Sequence, residues 1–182
     1  MTHKRHHRSI RVIHWLVAGL IIAALIMSAL VMPGIPDDSP EKIAALRRHM
    51  AAGSLVFVLT ALRFLTRRRV NRPAPLSSGM PWADWLARAV HRIFDLLILT
   101  MICSGAGMAV VSGVLPIVLG HQGHLPANLE ALPLHMLHRY TAMVLFAMLS
   151  LHIGGALYHQ IILRDNLLSR MGFAFPRKRT QP

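Results

Sequence analysis

Long apolar stretches alternate with short polar segments along the chain. Four of them, at approximately residues 12–32, 49–66, 93–115 and 138–163, can cross a bilayer, which takes about 20 residues at about 1.5 Å per residue. The third is expected to end before Pro116, since proline interrupts a helix. Because lipid cannot satisfy backbone hydrogen bonds, each stretch is expected to be helical. The pattern predicts an all-α, integral membrane four-helix bundle, with residues 1–182 forming one domain.

The composition agrees with a membrane protein. Hydrophobic residues make up 54% of the 182 residues. The formal charge of +13 would also suit a nucleic-acid binder, but no basic stripe is interleaved with aromatic residues as such a surface requires. We therefore expect lipid, and no nucleic acid, as a partner. The one cysteine allows no intramolecular disulfide.

The basic residues are unevenly distributed between the two sides of the predicted membrane. The two termini and the segment between the second and third stretches hold most of the 20 Lys and Arg residues. The opposite side has only Lys42, Arg47, Arg48 and Arg139. Because cytoplasmic loops are enriched in Lys and Arg, both termini are predicted to be cytoplasmic.

The apolar stretches also contain histidines, which are costly in lipid and usually face the bundle interior. A lone histidine there can simply hydrogen-bond a neighbouring helix. His138 and His152 are 14 residues apart, which returns to within about 40° of the same helix face after roughly 21 Å of rise. His135 lies about 100° off that face. The spacing predicts two interior histidines, one near each membrane surface.

Each of these two histidines has a counterpart at its own depth. The first stretch begins on the cytoplasmic side, which places His14 level with His152. The second begins on the opposite side, which places His49 level with His138. Two facing imidazoles suit a flat metal macrocycle better than a zinc ion, which takes four ligands. An Ala or Gly follows each histidine four residues later, on the same face.

The chain resembles the prokaryotic cytochrome b561 family, four-helix haem proteins of the bacterial inner membrane that include the superoxide oxidases. The resemblance covers nearly the whole chain, through "SIRVIHWLVAGLI", "RRHMAAGSLVFVLTALRFL" and "HMLHRYTAMVLFAMLSLHIGGALYHQII". It implies two b haems, one held by His14 and His152 and one by His49 and His138. The spacing alone implies only two buried histidines on one face.

The resemblance points to electron transfer. Two imidazoles on each iron would leave no coordination position open, so oxygen binding at iron is disfavoured. The leading hypothesis is an oxidoreductase that passes electrons from periplasmic superoxide to ubiquinone. The alternative is a haem b subunit that serves a periplasmic hydrogenase or dehydrogenase. A third possibility, a scaffold or transporter without haem, would require the paired histidines to be accidental.

The candidate quinone site lies at the cytoplasmic end. His159 follows His152 by seven residues, about 20° off the same face and roughly 10 Å nearer the surface. It could hydrogen-bond a quinone carbonyl, or anchor the helix at the interface beside Tyr158. The resemblance implies that ubiquinone contacts His159 and a loop lysine, near whose position this chain has Ser78. A serine can hydrogen-bond a carbonyl but supplies no charge.

Charged residues flank the histidines at the predicted periplasmic surface. Arg47 and Arg48 precede His49, and Arg139 follows His138. Their positive potential would speed the arrival of a small anion such as superoxide. They would equally neutralise haem propionates, and both uses stay open.

Two further polar residues lie in the cytoplasmic half. His91 begins the third stretch, with Asp95 one turn later, and is predicted to form a local pair or to contact quinone or a haem propionate. Arg63, near the end of the second stretch, could pair with a haem propionate but is expected instead to snorkel to the membrane surface. The expected partners are therefore lipid, ubiquinone and either superoxide or a periplasmic redox protein.

Overall fold

The computed structural model describes residues 8–69, 81–120, 124–126 and 129–163, and its regular structure there is entirely helical. The α-helices in these ranges are α1 (Arg8–Ile26), α2 (Pro40–Arg69), α3 (Pro81–Val111), α4 (Val114–Val118) and α5 (Pro133–Tyr158). A π-helical turn (Met27–Val31) and a 3-10 turn (Met32–Gly34) extend α1, and a π-helical turn (His159–Leu163) extends α5. The predicted all-α fold is confirmed.

Four of the helical segments are long and apolar enough to cross a membrane. They are Ser9–Gly34, Pro40–Thr66, Trp85–Val111 and Pro133–Leu163. Three of the helices begin with a proline, at Pro40, Pro81 and Pro133. Proline suits a first helical turn because its missing N–H would have no intrahelical partner there. These helices therefore begin before the apolar stretches that revealed them.

The third helix ends earlier than expected. The predicted end at Leu115 is wrong, because α3 ends at Val111 and Gly113 adopts a φ of 69°. This left-handed conformation favours glycine and commonly terminates helices. Pro116 lies in the first turn of the next helix, α4, where proline is tolerated. The glycine, and not the proline, stops the third helix.

The four long helices pack most closely as two pairs, α1 with α2 and α3 with α5. An apolar cluster of Ile13, Val17, Val56 and Ile98 joins α1, α2 and α3. Many large apolar side chains point outwards, and Leu151 is 73% exposed. An exterior of this kind suits lipid, while the interior holds this apolar cluster together with a few buried polar side chains.

Lys42 joins the end of the first helical segment to the start of α2. Its Nζ donates to the carbonyl oxygens of Met32 at 2.9 Å and Ile35 at 3.1 Å, and pairs with Asp37 at 2.8 Å. Carbonyls at a helix end have no intrahelical partner. The Ile35 N–H also donates to the Met32 carbonyl oxygen. The lysine therefore adds to the donors at this helix end and fixes the turn between α1 and α2.

A buried salt bridge between Arg63 and Asp95 connects α2 to α3. The two side chains are only 10% and 20% exposed. The expectation that Arg63 snorkels to the surface is therefore wrong, because the carboxylate on α3 holds its guanidinium inside the bundle. Charges within membrane helices commonly pair in this way.

Candidate functional site

The candidate histidines lie towards the two ends of the bundle. His49, near the start of α2, faces His138, near the start of α5. His152 lies near the end of α5 and contacts His91 of α3. We call these the His49 end and the His152 end. Antiparallel packing of α3 and α5 places their polar residues at the same depth in pairs, Ser104 beside His138 and His91 beside His152.

The imidazoles of His49 and His138 have ring centroids 6.1 Å apart and planes inclined at 73°. A histidine nitrogen binds a metal at about 2 Å and lies about 1 Å from its ring centre, so imidazoles on opposite sides of one metal have centroids about 6 Å apart. The observed separation fits this requirement. The structure thus brings together one of the two predicted pairs.

A serine hydroxyl contacts Nδ1 of each imidazole in this pair. Ser104 Oγ lies 3.0 Å from His138 Nδ1, and Ser28 Oγ lies 3.3 Å from His49 Nδ1. Ser28 belongs to the π-helical turn after α1, a feature frequent at functional sites. With Nδ1 engaged by a serine, Nε2 is the ring nitrogen left for another partner.

The imidazole of His138 also lies close to the backbone of α3. A Cβ atom on Gly105 would be 3.2 Å from His138 Cε1 and 3.5 Å from its Nδ1. A Cβ atom on Gly107 would be 3.1 Å from Leu134 Cδ1. Small residues let membrane helices approach closely. The two glycines therefore allow the approach of α3 and α5 that sets the position of His138.

The His152 end has a different arrangement of rings. The His152 imidazole lies 5.9 Å from that of His91 and 5.3 Å from the Phe94 ring. His91 Nδ1 donates to the Ala87 carbonyl oxygen at 2.7 Å, since a carbonyl can only accept. His14 makes an edge contact with Trp15 at 5.2 Å. The pairing of His14 with His152 stays a prediction.

Several buried polar atoms in the half of the bundle near His152 have no hydrogen-bond partner among the described residues. They include Arg11 Nε, Thr60 Oγ1 and Gln160 Oε1. Arg11 lies three residues before His14, and Gln160 directly follows His159. Buried polar groups in folded proteins are nearly always paired. The polar substituents of a haem or a quinone would supply suitable partners here.

The predicted quinone-site residues are only partly described. His159 begins the π-helical turn at the end of α5, and its ring contacts that of Tyr158 at 6.2 Å. Ser78 lies outside the described residues. The role of both residues at a quinone therefore stays a prediction.

Three arginines are close in sequence to the paired histidines at the His49 end, and all three are exposed. Arg47 Nε donates to the carbonyl oxygen of Val118, at the end of α4, at 2.6 Å. Arg48 and Arg139 are exposed. One guanidinium thus holds α4 against α2, while the other two face the surroundings of the bundle.

No group of three or more His, Cys, Asp or Glu residues in the described ranges could hold a bare metal ion. Haem iron has a different requirement, because the macrocycle supplies four ligands and the protein adds only axial side chains. Two facing imidazoles, held at Nδ1 by serines, meet this requirement. The residues at the His49 end therefore fit a haem.

Comparison with known proteins decides the family. A family model described as prokaryotic cytochrome b561 matches residues 5–174. The chain belongs to this family. Cytochrome b561 homolog 1 of Escherichia coli (strain K12) is 26% identical over 170 residues, which cover 92% of this chain and 94% of that protein. The cytochrome is accordingly a multi-pass inner-membrane protein that binds haem b and transfers electrons.

Proposed function

We propose that the cytochrome binds two b haems and carries electrons across the membrane from superoxide to ubiquinone. The observation that carries the proposal is the pair of imidazoles from α2 and α5, with ring centroids 6.1 Å apart. His49 and His138 would hold one haem, and His14 and His152 the other. When bound, each haem supplies a one-electron Fe(III)/Fe(II) couple. With both histidines of a pair bound to one iron, oxygen binding at that iron would be disfavoured.

The His49 end is assigned to the periplasm, because the opposite side carries most of the Lys and Arg residues. Arg48 and Arg139 are exposed there, next in sequence to His49 and His138. Their positive charges would attract a small anion. Each superoxide anion would give up one electron and leave as O2.

The His152 end is assigned to ubiquinone. One quinone would take two electrons, from two superoxide anions, and two protons to become the quinol. His159 is the proposed partner of a quinone carbonyl, and Ser78 a second hydrogen-bonding group. The buried Oε1 of Gln160 supports this assignment, because a carboxamide oxygen can accept a hydrogen bond from a quinol hydroxyl.

The function is tested by exposing the oxidised, haem-loaded cytochrome to a pulse of superoxide. We expect rapid haem reduction, which is monitored through the haem absorption bands. The rate of reduction should fall as the salt concentration rises, because salt screens exposed charges. The double variant Arg48→Gln/Arg139→Gln should react several-fold more slowly with full haem content. Arg88→Gln serves as the control, because Arg88 is an exposed residue near the start of α3, at the opposite end of the bundle from His49.

The same experiment separates the two functions. A haem-loaded cytochrome that superoxide does not reduce would contradict the proposal and favour service to a periplasmic hydrogenase or dehydrogenase. One observation favours that alternative. The short helix α4 is held against α2 at the His49 end, and Leu119, which directly follows α4, is 72% exposed. An exposed apolar residue of this kind suits contact with a protein donor.

A further inference from the structure

We propose that Ser104 helps to set the tautomer of His138 and lowers the reduction potential of the haem at the His49 end. This inference rests on the proposed function, in which His138 is an axial ligand of that haem. Ser104 acts through the imidazole and is therefore a positioning residue. The proposal assigns a redox role to a serine in the middle of an apolar helix.

The direction of the hydrogen bond follows from the other contacts of the hydroxyl. Ser104 Oγ lies 2.7 Å from the Thr100 carbonyl oxygen and 3.2 Å from that of Met101. Carbonyl oxygens only accept, and a hydroxyl has one proton. That proton is therefore donated to the backbone of α3, and Oγ has only lone pairs to offer His138.

It follows that His138 Nδ1, 3.0 Å from Ser104 Oγ, carries a proton and donates it. In a neutral imidazole the other nitrogen, Nε2, is then the unprotonated one. Only an unprotonated nitrogen can bind a metal. The ring of His138 also hydrogen-bonds the backbone of Met101, whose carbonyl oxygen can only accept. The backbone-bonded serine and this carbonyl therefore favour the same tautomer, in which Nε2 is ready to be a ligand.

The surroundings of this hydrogen bond preserve it. Ser104 is deeply buried, with only 2% of its surface exposed. Among the described residues, no side chain as large as serine is more deeply buried. Gly105, the next residue, leaves room for the ring to lie against α3. In a site of low dielectric, the hydrogen bond that the neutral ring donates to Ser104 is stronger than it would be in water.

An acceptor at Nδ1 makes the imidazole a more basic ligand. A more basic ligand stabilises the oxidised iron more than the reduced iron, so the reduction potential falls. Ser28 makes a longer contact, 3.3 Å, with His49 from an exposed position. We therefore expect Ser104 to have the larger effect of the two.

The test is a redox titration of the purified, haem-loaded cytochrome, followed by absorption. Ser104→Ala should raise the midpoint potential of one haem and leave the other unchanged. Ser104→Thr keeps the hydroxyl and should titrate as the wild type does. Ser54→Ala is the matched control, because Ser54 is exposed on α2 and also bonds the carbonyl four residues back, at 2.9 Å.

Ser104→Cys is a second variant for the same measurement, to be used if the alanine variant loses its haem. A thiol fills the space and accepts hydrogen bonds only weakly, so the same potential should rise. Potentials equal to the wild type in both loaded variants would overturn the inference. The proposed ligation is tested separately, since His138→Ala with an unchanged haem content would contradict the ligation itself.

Discussion

At the scale of single residues, the position of the His138 imidazole depends on small neighbours in α3. Ser104 holds its Nδ1, and Gly105 lets the ring approach the helix backbone. A ligand must be held near its productive geometry by the residues around it. A haem held by His49 and His138, as proposed, should therefore be sensitive to side chains that never touch iron.

Gly105→Val tests this dependence. The added side chain would begin 3.2 Å from His138 Cε1, so the ring must move away. We expect the ratio of haem to protein to fall, measured by the absorption of the extracted haem. Gly19→Val is the control, because nothing lies within 4 Å of a Cβ atom at Gly19. Equal haem contents in the two variants would show that Gly105 does not position the ligand.

The sequence was sufficient to predict the pairing of His49 with His138, because depth in the membrane follows from helix direction and residue number. The serines that hold these rings were missed. A search for small polar residues in apolar stretches, at the depth of a histidine, would have found Ser104. The direction of its hydrogen bond to His138 could not be predicted from the sequence. It depends on how close the hydroxyl lies to the carbonyl oxygens of Thr100 and Met101 in the folded helix.

At the scale of helices, the Arg63–Asp95 salt bridge holds α2 against α3. From the sequence, Arg63 is expected to snorkel rather than to pair with a haem propionate, and Asp95 is expected to bond His91 one turn before it. A partner on a neighbouring helix is not predicted for either residue. Whether a charged residue pairs within its own helix or with a neighbouring helix depends on how the helices pack. The pattern of apolar residues in the sequence does not reveal this packing.

Asp95→Asn should strongly destabilise the bundle, because it removes the carboxylate charge that pairs with the buried guanidinium of Arg63. Removing one partner of a buried pair costs about 3–5 kcal/mol, so the apparent Tm in detergent should fall clearly. Asp37→Asn is the matched control, since Asp37 pairs with Lys42 but is 88% exposed, and an exposed pair contributes at most about 1 kcal/mol. A Tm for Asp95→Asn equal to that of Asp37→Asn would contradict this account.

The existence of all four long helices could be predicted from apolar length alone, but their ends could not. Proline starts α2, α3 and α5, and each of these helices begins before its apolar stretch. The end of α3 depends on the positive φ of Gly113. A proline is easily read as a stop signal, whereas Pro116 in fact lies in the first turn of α4.

At the scale of the whole molecule, the two ends of the bundle differ in chemistry. The His49 end combines paired imidazoles with exposed arginines, which suits a small anionic donor. The His152 end combines His152, His91 and Phe94 with buried polar atoms, which suits a larger polar ligand. Such an asymmetry is what a protein needs to take electrons on one side of a membrane and deliver them on the other.

The central claim is that histidines from different helices hold haem in pairs. The most direct measurement is the haem-to-protein ratio of the purified cytochrome and its histidine variants. We predict two haems in the wild type, one in His138→Ala and still two in His135→Ala, because position 135 lies about 100° from the ligand face. A wild type without haem, or a His138→Ala variant that keeps the full content, would contradict the account.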